Sequence, residues 1–112
     1  MAKDAVVETI DDVSSAVHEN VSDQEDLLSE LAQVRQERIE GVPLGEALGE
    51  GGRPRALVIL DRIVNRLTIG SARLRRALIT SLVRDGESVT SVATRFEVTH
   101  QRISSILRRD KN

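Results

Sequence analysis

The sequence has no cysteine, tryptophan or tyrosine, and it has a single phenylalanine. The lack of cysteine excludes disulfides, thiol catalysis and cysteine-ligated zinc. The lack of aromatic residues argues against single-strand and sequence-reading RNA modules, because these stack bases on aromatic side chains. No apolar run approaches the ~20 residues of a membrane span, and the acidic N-terminus is unlike a signal peptide. We therefore expect a cytoplasmic protein of a cell without a nucleus, with no membrane partner.

No pattern in the chain is typical of a catalytic or metal site. General acid–base catalysis needs a titratable pair in a cleft, but the two histidines, His18 and His100, lie far apart in the sequence. His18 also has no second metal ligand at helical spacing. The glycine-rich residues 49–54 follow no strand and lack the lysine of a phosphate loop. We predict that the protein is not an enzyme and has no cofactor and no metal.

The formal net charge of -2 conceals two halves of opposite sign. Residues 1–52 hold three basic and thirteen acidic side chains, whereas residues 53–112 hold thirteen basic and five acidic ones. A basic region is the electrostatic signature of nucleic-acid binding, and an acidic one is repelled from nucleic acid. We predict an acidic helical segment at 1–52, for dimerisation or partner binding, and a basic DNA-binding domain at 53–112. The alternative is that the acidic and basic surfaces pack on each other.

The residue pattern predicts an all-α fold, because strand-like alternation is missing. Five helices are expected before the last third: residues 3–20, capped by Asp4; 22–40, with a capping box at Ser22; a short one at 43–48, begun by Pro43; 55–67; and 72–85, ended by Gly86. Gly70 and Ser71 mark an expected break between the last two. The apolar side chains expected to face inward are Leu27, Leu28, Leu31, Val34, Leu57, Leu60, Ile63, Val64, Leu67, Leu74, Ala77, Leu78, Leu82 and Val83.

Residues 86–109 have the pattern of two short helices joined by a tight turn. A helix-turn-helix needs a small residue where its helices cross and apolar residues at fixed offsets around it. Ala93 is the small residue, and Ser88 and Thr99 are expected to cap the two helices. The apolar positions are filled by Val92, Phe96, Val98, Ile103 and Ile106.

These residues carry a resemblance to a family. F-E-V-T-H-Q-R-I-S-S-I, residues 96–106, resembles the promoter-reading helix-turn-helix of bacterial primary sigma factors and of small bacterial repressors. The wider stretch, residues 74–103, resembles DNA-binding tails of small actinobacterial regulators. The resemblance covers about the last third of the chain and implies a nucleoid-associated regulator of transcription. It departs from the family at Glu97, where the turn usually carries glycine. A left-handed non-glycine residue there costs roughly 1 kcal/mol, so we expect a turn that is either strained or slightly different in shape.

The predicted site residues follow from this motif. An α-helix fits the major groove of duplex B-DNA and enters it with its N-terminal residues first, so residues 99–109 are the predicted recognition helix. The predicted base-reading side chains are Thr99, His100, Gln101, Arg102, Ser104 and Ser105, of which Arg102 and Ser105 suit phosphate as well. The predicted phosphate contacts are Ser88, Thr90, Arg95, Arg73, Arg76, Arg108 and Arg109.

A sequence-specific duplex-DNA-binding regulator is the main prediction, and two alternatives stay open. The helix-turn-helix could dock on RNA polymerase or a sigma factor as an adaptor, or the protein could coat DNA without specificity. One recognition helix gives limited specificity, so we expect a homodimer through the N-terminal helices. In the competing interpretation these helices fold back on residues 55–67 in a monomer, and the acidic half could instead bind another protein. The apolar positions available for an interface are Val6, Ile10, Val13, Val17, Leu27, Leu28 and Leu31.

Overall fold

A computed structural model describes residues 4–111, which form five helices and no strand. The helices are α1 (Ala5–Ile39), α2 (Leu44–Ala47), α3 (Arg55–Arg84), α4 (Val89–Phe96) and α5 (His100–Lys111). The prediction of an all-α fold is confirmed. None of the described helices is both long enough and apolar enough to cross a membrane.

The chain divides into two compact units by its internal packing. Residues 14–69 form one unit, and residues 4–13 together with 70–111 form the other, so α1 and α3 each contribute to both. The boundary predicted at residue 52 marks a change in the sign of the charge, whereas the two units of the structure are defined by contacts between residues. The separate roles predicted for residues 1–52 and 53–112 stay predictions.

Two predicted helix boundaries are wrong, because α1 and α3 are each continuous. The predicted capping box at Ser22 does not start a helix; its neighbour Asp23 is buried along α1 instead. At Gly70, an added Cβ would lie 3.3 Å from Cγ2 of Val13, so the missing side chain lets α1 approach closely. Tertiary packing of this kind outweighs the penalty for glycine within a helix, which is roughly 1 kcal/mol relative to alanine.

The predicted helix ends are better reproduced than the breaks. The carboxylate of Asp4 accepts hydrogen bonds from the backbone N–H groups of Val6 and Val7 at 2.8 and 3.2 Å, which confirms the cap of α1. After α3, Gly86 adopts a left-handed φ of 106°. The N–H of Glu87 then donates to the carbonyl of Leu82 at 3.0 Å, a bond that satisfies one of the open carbonyls at the helix end.

In the unit of residues 14–69, α1 and α3 run antiparallel. The less exposed residues of α1 alternate at spacings of three and four, which is the repeat of a helix packed against one neighbour. Ile59 and Ile63 of α3 are 1% and 6% exposed. This narrow seam covers only three of the nine apolar side chains of residues 14–69 that were predicted to face inward, namely Leu27, Val34 and Ile63. Those left 41–69% exposed are Leu28, Leu31, Leu57, Leu60, Val64 and Leu67.

The N-terminal valine and isoleucine stripe also divides between two faces. Val6 and Val13 are half-buried, but Ile10 and Val17 are 46% and 45% exposed. The fold-back on α3, which was the competing interpretation, takes place in residues 14–69, where Asn20 and Asp23 bond residues of α3. It does not cover all of the apolar positions.

The second unit has its core around α4 and α5. Five side chains are buried there: Ile79, Val92, Ala93, Ile103 and Ile106. Side chains packed around them are Leu82, Val83, Val89, Phe96, Val98 and Leu107. The sequence pattern missed Ile79, which is fully buried, because the predicted inner face of this helix was centred one position away, on Leu78 and Leu82.

Candidate nucleic-acid interface

The junction between α4 and α5 is fixed by side-chain caps at both helix starts. The hydroxyl of Ser88 accepts from the N–H of Ser91 at 3.1 Å, and the hydroxyl of Thr99 accepts from the N–H of Arg102 at 3.1 Å. Both predicted caps are confirmed. Each satisfies one backbone donor that a helix start otherwise leaves without a partner.

The turn between the two helices is held in a left-handed conformation at a residue that is not glycine. Glu97 has φ 56° and ψ 44°. The N–H of Val98 donates to the carbonyl of Ala93 at 3.0 Å, the same pattern that follows Gly86 at the end of α3. Val98 then packs against the core, so the turn is anchored from beneath.

The buried contacts between the helices set the direction in which α5 presents its polar side. Val92 and Ile103 are fully buried, and Ala93 is 4% exposed. The structure therefore brings together the apolar residues that the sequence pattern assigned to this junction. With Ile103 and Ile106 turned toward the core, the opposite side of α5 faces solvent.

Four of the predicted site residues line one open depression on that solvent side. They are His100, Gln101, Ser104 and Arg108, with Ser104 half-buried and the others exposed. Their spacing places them on one stripe of the helix. The stripe begins at the N-terminus of α5, where the helix dipole favours negatively charged ligands.

The remaining predicted residues of α5 lie on the adjoining face. Arg102, Ser105 and Arg109 follow one another at spacings of three and four, which aligns them along the helix beside the depression. Arg102 and Arg109 are exposed, and Ser105 is half-buried. Thr99 is exposed at the N-cap. The polar side of α5 is therefore two stripes wide.

Arg95, a predicted phosphate contact, forms an ion pair within its own unit. Its Nε and Nη2 atoms donate to the two carboxylate oxygens of Glu87 at 3.0 and 3.1 Å. Ser91 donates to the same carboxylate at 2.8 Å. These hydrogen bonds, first from Arg95 and then from Ser91, lower the pKa of Glu87 below its usual value. The i, i+4, i+8 spacing of the three residues is the signal for this pairing in the sequence.

Two other predicted phosphate contacts lie close to carboxylates. Arg73 and Arg76 line a cleft together with Glu8 and Asp12 from the start of α1. Ser88 uses its hydroxyl oxygen as the α4 cap, and Thr90 is exposed in the first turn of α4. Arg108 is exposed and forms no ion pair with any side chain that the structure describes.

The seam of α1 and α3 contains a polar cluster that lies outside the predicted site residues. Asp23 accepts two hydrogen bonds from Arg62, both at 3.0 Å, and another from Arg66. These contacts, led by Arg62, lower the pKa of the Asp23 carboxyl. Asn20 accepts from Arg66 at 3.0 Å and donates to the backbone carbonyl of Ile63 at 3.2 Å. Asn20 and Asp23 occupy consecutive positions of the three-and-four repeat between the apolar Val13 and Leu27, and this placement is the signal for the cluster in the sequence.

Neither unit gathers metal-binding side chains: among the described residues, no three His, Asp or Glu side chains are grouped so that they could hold an ion. Comparisons with protein-family models, with curated proteins and with solved structures give no match. The resemblance of residues 74–106 to bacterial regulators therefore rests on those residues alone.

Proposed function

We propose that the protein is a sequence-specific duplex-DNA-binding regulator of transcription, in which α4, the turn and α5 form a helix-turn-helix. In this proposal α5 lies in the major groove. The observation that carries it is the division of α5 into two sides. Ile103 and Ile106 fix the helix to the core, and a stripe of hydrogen-bonding side chains faces solvent.

The chemistry of that stripe suits the edges of base pairs. Glutamine can bond adenine with two hydrogen bonds, and serine can donate or accept. Gln101 and Ser104 lie in the first half of α5, which enters the groove first in this geometry. His100 precedes them on the same stripe. Thr99 contributes less, because its hydroxyl oxygen already caps the helix.

The structure favours some of the predicted phosphate contacts over others. Arg108 and Arg109 are exposed near the end of α5. Arg95 is paired with Glu87, and Arg73 and Arg76 lie beside acidic residues of α1. A paired arginine has to give up its partner before it binds phosphate. We therefore assign most of the phosphate binding on this surface to Arg108 and Arg109.

The proposal includes a homodimer, because two recognition helices at half-sites ~34 Å apart give more specificity than one. It also places the protein in the cytoplasm, associated with the nucleoid. Regulation of transcription is carried by the resemblance of residues 74–106, whereas DNA binding is also supported by the exposed stripe and the basic charge of residues 53–112.

The full-length chain is the right reagent for a test, since residues 4–13 belong to the same compact unit as α4 and α5. Bound sites are selected from random duplexes, and affinities are then measured by fluorescence anisotropy at several salt concentrations. Gln101→Ala should weaken the selected site by about 1–3 kcal/mol and relax one base position. Arg108→Ala should weaken all sequences alike and lower the salt slope by about one.

Arg38→Ala is the matched control, because Arg38 is an exposed arginine in the last turn of α1. It should leave the affinity unchanged. Failure of the wild-type chain to bind any duplex would reject the proposal and favour the adaptor interpretation. Binding without sequence preference would favour a non-specific coating protein.

A further inference from the structure

A second apolar stripe runs along α1 beside the one that packs on α3. In the unit of residues 14–69 it consists of Val17, Val21, Leu28 and Leu31, which are 45–69% exposed. Each of these residues follows a less exposed seam position by one residue. The stripe thus repeats the three-and-four spacing of the seam, with Gln24 as its only polar member between Val17 and Leu31. A helix with two such stripes is built to pack against two neighbours.

The partner helix carries the same pattern. Leu57, Leu60, Val64 and Leu67 of α3 are 41–51% exposed. Each comes one position after a less exposed residue, and their spacings are three, four and three. Both helices of the antiparallel pair therefore leave one apolar stripe without cover in this chain.

Helix geometry puts the two stripes on the same side of the pair. One residue step rotates the side-chain direction by about 100° around a helix axis. When both helices of an antiparallel pair are viewed from the same end, one chain winds clockwise and the other counter-clockwise. A step of one residue beyond a seam position therefore leads to the same side of the pair in both helices. The two stripes form one apolar face, two helices wide. Ile69, which is 56% exposed, lies on the opposite side.

The size of this face matches what a dimer requires. Its eight apolar side chains expose on the order of 600 Å², at the upper end of the largest apolar patch on a typical monomer. Burying the same area from a second copy gives about 1,200 Å², the lower limit of specific, stable interfaces.

The charges of the two helices say which occupant fits. Within residues 14–69, α1 has six acidic and two basic side chains, whereas α3 has three basic and one acidic. An occupant that suits both helices must offer a basic helix beside α1 and an acidic helix beside α3. A second copy of this chain offers both, at the required separation.

We infer that the protein forms a four-helix homodimer through this face, with α1 beside α3 of the partner. The two-fold axis then runs parallel to the helices, and every helix has neighbours of opposite charge on both sides. A two-fold axis perpendicular to the helices would instead place the acidic α1 helices of the two copies against each other, where their charges repel. The inference deepens the homodimer of the proposed function by naming its surface and pairing, but it can be tested without DNA.

The first test is the mass of the full-length chain by light scattering at micromolar concentration, in the absence of DNA. The expected mass is twice the 12.3 kDa of one chain. Leu28→Asp and Val64→Asp should each shift the protein to monomer. Ile69→Asp introduces the same charge at an equally exposed isoleucine outside the face and should stay dimeric. A wild-type mass of one chain, or equal loss of dimer in the Ile69→Asp control, overturns the inference.

The second test resolves the pairing and uses the absence of native cysteine. Val21 and Val64 lie at the same level of the antiparallel pair, because Asn20 bonds Ile63. An equimolar mixture of Val21→Cys and Val64→Cys chains should give disulfide-linked dimers of the two variants on oxidation. Val21→Cys alone should not, because disulfides need Cα atoms within about 7 Å and diagonal helices lie farther apart. Linkage of Val21→Cys alone, or none in the mixture, contradicts this pairing.

Discussion

The two units of this protein differ in how completely they bury their apolar side chains. Around α4 and α5, five apolar side chains are buried and six more pack against them. In residues 14–69, only Ile59 and Ile63 are buried apolar side chains, and eight others on one side of the helix pair remain exposed. The unit that contains α4 and α5 has a complete small core. The unit of residues 14–69 has the material for a core but needs another surface to complete it.

The buried polar groups differ as well. The pair of long helices buries Asn20 and Asp23 in its seam, where Arg62 and Arg66 satisfy them. In a helix seam such polar residues specify register more than they add stability. The α4–α5 region places its capping hydroxyls at exposed helix ends instead. The buried polar contacts of the long helices therefore fix the alignment of α1 with α3, whereas the caps of α4 and α5 fix the orientation of an exposed surface.

The largest expected effect is on the core of α4 and α5. Ile103→Ala removes a fully buried side chain and should lower the free energy of unfolding by about 2–5 kcal/mol. Ile69→Ala, at an exposed position, should change it by less than about 0.5 kcal/mol. Urea denaturation followed by circular dichroism measures both. Equal losses would contradict the distinction between the closed core around α4 and α5 and an exposed isoleucine of α3.

The next prediction compares the contribution to stability of two carboxylates that form ion pairs with arginine. Asp23→Asn should destabilise the protein more than Glu87→Gln does. Asp23 is buried and serves two arginines, whereas Glu87 serves Arg95 at the surface. Thermal unfolding of the two variants at neutral pH gives the ranking. A larger effect at Glu87 would contradict it.

The lowered pKa of Asp23 predicts that the stability of the protein depends on pH. Because the folded protein lowers the pKa of Asp23, the unfolded chain binds protons first as the pH falls. The contribution of Asp23 is therefore fully present above the unfolded value of 3.8 and is lost as the pH falls through the lowered folded value. The stability difference between wild type and Asp23→Asn should be constant near neutrality and shrink in strong acid. A difference that grows in acid would be incompatible with this assignment.

The smallest effect is expected at the two turns with the same hydrogen-bond pattern. Gly86 and Glu97 both have left-handed φ angles, of 106° and 56°. Glu97→Gly should raise stability by up to about 1 kcal/mol, whereas Gly86→Ala should lower it by roughly the same amount. Glu97→Gln keeps the side-chain strain and removes the charge, so it separates the two contributions. Stabilisation by Glu97→Gln as large as by Glu97→Gly would assign the effect to charge.

The sequence predicted the α4–α5 region well because its signals are local. Caps at Ser88 and Thr99, the small Ala93 and the apolar offsets all lie within a short stretch, and the structure reproduces them. At Glu97 the sequence left open whether the turn is strained or different in shape, and the structure has the left-handed, strained form. Which exposed side chains bind DNA remains a prediction, because residue type and spacing do not reveal ion pairs such as that of Arg95 with Glu87.

The long helices were predicted less well because non-local contacts decide them. The capping pattern at Ser22 and the glycine at position 70 are local signals for breaks, and packing between α1 and α3 overrides both. The inward faces were misjudged for a related reason. Each helix has two apolar stripes, and the residue pattern alone does not say which of them packs within the chain.

The central claim is that the solvent side of α5 reads duplex DNA, and amide chemical-shift mapping tests it most directly. The full-length protein is titrated with the duplex selected from random sequences, and with a scrambled duplex of the same composition as control. We expect the largest shifts at His100, Gln101 and Ser104, smaller shifts at Arg108 and Arg109, and weaker changes with the scrambled duplex. Largest shifts within residues 14–69, or none with either duplex, would contradict it.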